Sequence, residues 1–243
     1  MSTNTKKVLK IKGKSKKYSA NSDIITAETN NQVVSVEKAV ETLLKLEAPK
    51  FKDGTSVELH VKLNINPTKS DQLVRSSVVL PNGSGKSVKI AAFVTSMNED
   101  LAKKLGAYRV GGEELINQIK ESGKVDFDIA IAQPELMKQL PPIARILGTA
   151  GVMPNPKTGT VGDNIEEIIK TILAGKVDYK NDKSGNVHIL VGKVNSKFDA
   201  AKLTQNINAA IESVEKAKPD VIKKKYILSI HVATTMSPSI KVR

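Results

Sequence analysis

The placement of charge constrains this chain more than any other feature. It carries 38 basic and 25 acidic residues in a length of 243, a formal net charge of +13. Residues 1–82 hold 14 basic and 8 acidic groups, residues 83–174 hold 11 of each, and residues 175–243 hold 13 and 6. The whole excess therefore lies in the two flanks, and the middle is neutral. The simplest chain path with that pattern is an insertion. Residues 1–82 and 175–243 build one basic split domain, and 83–174 form a second, neutral domain inserted into it. Small residues stand at both joins: Gly83, Ser84 and Gly85 at one, Ala174 and Gly175 at the other. Two crossings between the same pair of domains make a natural hinge.

The hydropathy pattern supports this division. In the first flank, Val36, Ala39, Val40, Leu43 and Leu44 recur at helical spacing behind Ser35, a suitable N-cap. "VELHVKL" alternates, with Val57, Leu59, Val61 and Leu63 on one face and Glu58, His60 and Lys62 on the other. "LVRSSVVL" reads as another strand. In the second flank, "NVHILVGKV" reads as a strand. Leu203, Ile207, Ile211 and Val214 form a helical stripe behind Asp199. "YILSIHVA" alternates, with Leu228, Ile230 and Val232 opposite Ile227, Ser229 and His231. About four strands and two helices predict an α+β sandwich, helices on one face of an antiparallel sheet.

The middle has another rhythm. "VKIAAFV" and "FDIAIAQ" are continuous apolar runs, as in a sheet buried on both faces. Helices are expected in "NEDLAKKLG", "EELINQIKES", "PELMKQLPPIARILG" up to the kink at Pro141-Pro142, and "NIEEIIKTIL". Strands alternating with helices predict a Rossmann-like α/β domain. The overall class is α/β, in two domains.

Composition narrows the function. There are no cysteines, which excludes disulfides and cysteine-ligated zinc and suits a reducing compartment. The apolar stretch at "IAAFVTSM" falls far short of the ~20 residues that span a membrane. Lysines interrupt the N-terminal segment where a signal peptide would be apolar. These features suggest a cytoplasmic chain with no membrane partner. The basic balance suggests a polyanionic partner, with simple solubility as the plain alternative.

"LPNGSGKS", Leu80 to Ser87, ends like a phosphate-binding P-loop. Such a loop needs a glycine five residues before Gly85, yet Leu80 stands there. Pro81 removes an N–H donor, and "SVKIAAFV" continues as a strand rather than a helix. A glycine hinge is the better reading. His60, His188 and His231 all fall in predicted strands, as exposed sheet-face residues. Glu113-Glu114 and Glu166-Glu167 suit first turns of helices. No catalytic residue, cofactor or metal is assigned. An enzyme built on the central domain and a generic basic RNA-binding protein both stay open at this point.

Aromatic residues make up only 3% of the chain, which disfavours a platform that stacks unpaired bases. A basic sheet reading the backbone and 2′-hydroxyls of folded RNA fits better. Glu58 and Ser229 suit directional hydrogen bonds there, although an ordinary solvated sheet face would look the same.

Four segments then occur in a fixed order: "VKLNINPTKSDQLVRSSVVLPNGSGK", "GVMPNPKTGTV" (Gly151 to Val161), "YKNDKSGNVHILVGK" and "TTMSPSIKV". Together they resemble the L-one family of large-subunit ribosomal proteins, the proteins of the ribosomal stalk. The resemblance runs from about residue 6 to the end. It departs from the family pattern at Ser76 and Ser237, where glycine is usual, and at Asn82, where histidine is usual.

The resemblance implies a structural, non-enzymatic protein of the large subunit, ribosome-associated and a monomer when free. It implies binding to the three-way junction of the mobile rRNA stalk beside the tRNA exit site, assistance in release of deacylated tRNA, and repression of its own operon mRNA. By motif it implies RNA contacts at Lys50, Phe51, Glu58, Ser229, Thr235, Met236 and Ser237, with Asn181, Lys183 and His188 in the return strand. Lys50 and Lys183 would neutralise phosphate. Glu58, Ser229 and Thr235 would make hydrogen bonds. Phe51 and Met236 would lie against riboses or a base, or else pack in the core. The "MPNPKTG" loop is either a structural closure or a contact with stalk RNA or exiting tRNA. Lys6 to Lys17 would form a basic arm ordered by RNA.

Overall fold

A computed structural model describes residues 15–30, 32–49, 51, 54–194 and 198–243. In chain order its elements are α1 (Lys16–Thr29), α2 (Val36–Lys45), β1 (Thr55–Leu63), β2 (Arg75–Val79), β3 (Ile90–Phe93), α3 (Ser96–Lys104), β4 (Arg109–Gly111), α4 (Glu113–Ser122), β5 (Ile129–Ala132), α5 (Pro134–Met137), α6 (Pro141–Ala150), α7 (Ile165–Leu173), β6 (Lys176–Lys180), β7 (Asn186–Val194), α8 (Ala200–Lys216), β8 (Ile227–Thr234) and β9 (Ile240–Lys241).

The alternation in β1 does what its period requires. Its odd-numbered residues, Thr55 to Leu63, are buried and the even-numbered ones are half-exposed. β1 pairs antiparallel with β7 on one side and β8 on the other, in a sheet of order β7-β1-β8-β9. Val57, Leu59, Val61 and Leu63 share a core cluster with Ala39, Val40 and Leu43 of α2 and Leu203, Ile207, Ala210 and Val214 of α8. Helices thus cover one face, and the other is left open.

Several details differ from the sequence pattern. Leu44 is exposed and Thr42 is buried in its place. The threonine tolerates burial because its hydroxyl donates to the Lys38 carbonyl at 2.8 Å. Leu228 is exposed while Ile227 is buried. The register shifts there: Lys62 faces Ser229 and Leu63 faces Ile227, so Leu228 is bulged outward. "LVRSSVVL" does not join the four-stranded sheet; β2 pairs with the returning β6 as a separate two-stranded ladder. Lys16 and Lys17, assigned to the basic arm, open α1 behind its cap Ser15. The rest of that arm, Lys6 to Lys14, lies outside the described residues. α1 is pinned by Asn21, whose amide exchanges hydrogen bonds with the backbone of Glu47 at 3.0 and 3.1 Å.

In the middle segment β3, β4 and β5 form a parallel sheet of order β4-β3-β5. Ala91, Phe93, Ala130 and Ala132 pack against Leu115, Ile116 and Ile119 of α4 and Ile143 and Leu147 of α6. Ile90, Ala92 and Ile131 pack against Ala102 of α3 and Ile165, Ile169 and Ile172 of α7. Both faces are covered, which is why the strands read as unbroken apolar runs. Pro141 does not end a helix but starts one, at the first position of α6, where its missing N–H costs nothing.

The two chain crossings meet at glycine. Gly83 and Gly175 have φ of 69° and 104°, and a Cβ on Gly175 would lie 2.5 Å from the Gly83 Cα. Asn206 on α8, fully buried, holds the junction. Its amide donates to the carbonyls of Gly83 (2.9 Å) and Val191 (2.7 Å), and its carbonyl accepts from the Asn82 N–H at 3.1 Å. Asn82, where the resemblance leads one to expect histidine, adds a side-chain bond to the Lys202 carbonyl at 3.2 Å. Asn206→Ala strands these groups in the interior. It is expected to lower unfolding free energy by about 2–3 kcal/mol in urea titration. Asn208→Ala, on the exposed side of α8, should change it by less than about 0.5 kcal/mol.

Candidate nucleic-acid interface

The open face of the four-stranded sheet is built by the even residues of β1 and their partners. Ser56 pairs with Lys193, Glu58 with Leu190, His60 with His188 and His231, and Lys62 with Asn186 and Ser229. β9 adds Lys241 beside His231. At ~3.3 Å per residue the face runs roughly 27 Å along β1.

At the β1 start, β8 runs into the turn Thr235-Met236-Ser237. The Thr235 N–H and hydroxyl both donate to the Ser56 carbonyl, at 3.0 and 3.4 Å. Ser237 closes the turn: its hydroxyl oxygen accepts from the Thr234 N–H at 3.0 Å and lies 2.9 Å from the Pro238 carbonyl. Ser237 thus supplies a tie that glycine could not. Met236 has φ of 67° and is 76% exposed. Phe51 is 48% exposed. Neither is a core residue, which removes the core-packing reading for both. A methionine held in the left-handed region and pointing at solvent costs about 1–2 kcal/mol, strain that gathers at functional surfaces.

At the other end of β1 lies the turn between β6 and β7. Asp182 organises it, accepting from the N–H groups of Ser184 (2.8 Å) and Asn186 (2.7 Å) and from the Asn186 amide (3.0 Å). These donors, the Asn186 N–H foremost, hold its carboxyl down to about 2. Lys183 is exposed in this turn. The Asn181 side chain is turned inward, accepting from the Val74 N–H at 2.8 Å and donating to the Asp182 carbonyl at 3.0 Å. The Lys62 ammonium donates to the Ser184 carbonyl.

The structure therefore gathers Glu58, His188 and Ser229 on one face. Thr235, Met236, Ser237 and Phe51 lie at one end and Lys183 at the other, while Asn181 serves the backbone. Lys50 lies outside the described residues. Sequence reasoning left Ser56, Lys62, His60, His231 and Lys241 out of the site. The alternation already placed Lys62 and His60 beside Glu58; Lys241 carried no signal, because β9 is two residues long.

The "LPNGSGKS" segment has no phosphate cradle. The Lys86 ammonium is paired with Asp128 at 2.5 Å, and β3 follows it. The "MPNPKTG" loop is folded on itself. The Asn155 N–H donates to the Thr160 hydroxyl at 2.8 Å, and both Thr158 and Thr160 are buried. Lys176 of β6 donates to the Gly159 carbonyl at 3.2 Å, tying the loop to the flank. Among the described residues no helix is long and apolar enough to cross a membrane.

The model of the Ribosomal protein L1p/L10e family matches residues 38–238. The chain belongs to that family. It is thus a ribosomal protein, structural and non-enzymatic. It is similar to the large ribosomal subunit protein uL1 of Kosmotoga olearia, 44% identical over 207 residues, 85% of this chain and 87% of that protein. The uL1 protein of Mycoplasma capricolum is 43% identical over 212 residues, covering 87% and 92%. That of Fervidobacterium nodosum is 41% identical over 227 residues, covering 93% and 94%. Three of the four motifs lie wholly within the matched span and the fourth begins in it, and two of them build the ends of the open face.

A carboxyl held below its unfolded value stabilises the fold above that value, and the contribution is lost as pH falls through the folded one. Asp182→Asn should therefore lower the melting temperature at pH 7, with the deficit closing between about pH 4 and pH 2, the window set by the lowered carboxyl. Thermal melts across that range check it.

Proposed function

We propose that the chain is a structural constituent of the large ribosomal subunit and that the open face of its four-stranded sheet binds the three-way junction of the mobile rRNA stalk. The observation that carries this reading is the face itself. Helices cover the sheet on one side only, and the other side presents Lys62, Lys193 and Lys241 among Glu58, Ser56, Ser229 and three imidazoles. That mixture suits phosphate neutralisation with directional bonds to 2′-hydroxyls, the way folded RNA is read. All of the chain's net charge of +13 lies in the flanks that build this face.

In this reading Glu58, Ser229 and Thr235 hydrogen-bond RNA, Lys183 and Lys50 hold phosphates, and Met236 and Phe51 lie on riboses or a base. His188 and Ser237 border the contact, and Asn181 acts by shaping its turn. Residues 1–82 with 175–243 act as the RNA-binding unit, and 83–174 move as a second unit about Gly83 and Gly175. Support for that division comes from the core clusters. The largest draws its buried members from 25–80 and 179–240, and the other two from 90–172. Family membership supports two further roles: help in releasing deacylated tRNA at the exit site, and repression of the chain's own operon mRNA through a fold like the stalk junction. The free protein is taken as a cytoplasmic monomer.

The test is the salt dependence of binding to a stalk-junction RNA beside a scrambled duplex of equal length. Affinity for both falls with salt as counterions are released. The junction RNA is expected to stay bound at a salt concentration that frees the duplex; joint dissociation would leave net charge as the whole explanation. Thr235→Val should weaken junction binding by about 1–3 kcal/mol, with the melting curve nearly unchanged. Met236→Gly should raise the melting temperature by relieving the left-handed backbone while weakening junction binding.

A further inference from the structure

All three histidines of the chain stand in one row of the sheet. His60 on β1 faces His188 on β7 and His231 on β8, and His231 faces Lys241 on β9. Cross-strand neighbours hold their Cβ atoms ~5 Å apart, so the row runs unbroken from one edge of the sheet to the other. It lies in a shallow depression of about 400 Å³ that Lys62, Asn186 and Ser229 also line.

The groups facing the row come from every neighbouring element. The Nδ1 atoms of His60 and His188 are 2.8 Å apart, with the rings edge to face. One of the two must donate and the other accept, so the pair shares a single Nδ1 proton. The other nitrogens look toward acids. Glu58 Oε2 is 3.8 Å from His60 Nε2, and Asp182 Oδ2 is 3.6 Å from His188 Nε2. On the cationic side stand Lys62 of β1 and Lys241 of β9. Burial first, then His188 and His231, lower the His60 imidazole against the pull of Glu58. Burial and Lys241 lower His231.

We propose that this row, flanked by Lys62 and Lys241, is a track for RNA phosphodiesters that takes up protons as it binds. The inference rests on the open face being the RNA interface, and it names the part of the RNA read there. A phosphate over the imidazoles favours their cationic form. Protonation in turn strengthens the hold on phosphate, so the two events are linked. A second proton on the His60–His188 pair breaks the Nδ1–Nδ1 bond. It leaves both rings with N–H donors for phosphate oxygens, as charge-assisted bonds. A metal ion suits the row less well: the described residues contain no group of three or more His, Cys, Asp or Glu placed to hold one.

Binding that takes up protons strengthens as pH falls, by at most tenfold per pH unit for each proton. The full chain is titrated with the stalk-junction RNA and the scrambled duplex from pH 5.5 to 8.5 at constant ionic strength. Beside it stands the triple variant His60→Gln, His188→Gln, His231→Gln. Wild type is expected to bind the junction RNA about 3- to 10-fold more tightly at pH 5.5 than at pH 7.5. The variant should bind more weakly and lose that gradient; a gradient from the RNA's own titration would persist in both. Proton NMR of the three imidazoles in wild type reads the same linkage without any substitution: RNA should move their titration midpoints upward. Equal pH profiles for the two proteins, or midpoints that RNA leaves in place, would overturn the track while the interface stands. Absence of any preference for the junction RNA, at every pH, would overturn the interface and the track with it.

Discussion

The fold depends on a backbone contact that only glycine permits. Where the chain leaves the first flank at Gly83 and returns at Gly175, a Cβ on Gly175 would run into the Gly83 backbone, while Gly83 has space beside it and needs glycine for its left-handed φ of 69°. That approach lets β2 and β6 pair immediately before and after the excursion. It also brings the second flank back in register to supply β7, β8 and β9. Asn206 fastens the point from α8, and so couples the crossing to the helix that covers the back of the sheet. A polar side chain at the heart of an apolar cluster is tolerated because its bonds are made.

Much of this was legible from residue pattern. β1 announced both its faces through strict alternation. β3 and β5 announced double-sided burial by having no polar face. The stripes of α2 and α8 stood out at helical spacing. What the pattern hid has physical reasons. α1 buries Asn21, Ile25 and Thr29, so it has no apolar stripe to detect, and it is held by the Asn21 amide together with the packing of Ile25. β4 and β9 are too short to show a period. Leu228 followed the alternation on paper, but a bulge belongs to the pairing of two strands and neither strand alone encodes it.

The candidate site divides in the same way. Glu58 and Ser229 were legible as members of a polar face, and Thr235, Met236 and Ser237 through a family segment. The assembly of His60, His188 and His231 into one row was not, because register between strands far apart in sequence follows from the crossing and the bulges. Asn181 looked like a contact residue by position in its motif. Its amide instead completes the backbone pairing of β2 with the turn. The motif marks a shape there, and the shape presents Lys183.

The order β7-β1-β8-β9 has a consequence for how the protein comes into being. Its central strand is made early, and both partners of that strand come from beyond residue 185. β1 therefore leaves the ribosome with two unpaired edges and waits while the whole middle segment is synthesised. The middle segment has meanwhile completed its own sheet by residue 132 and its last helix by residue 173. The polar face closes only when β8 arrives, and Lys241 joins it last, from β9. A partially made chain has no such face. Whatever reads that face meets only chains made past β9.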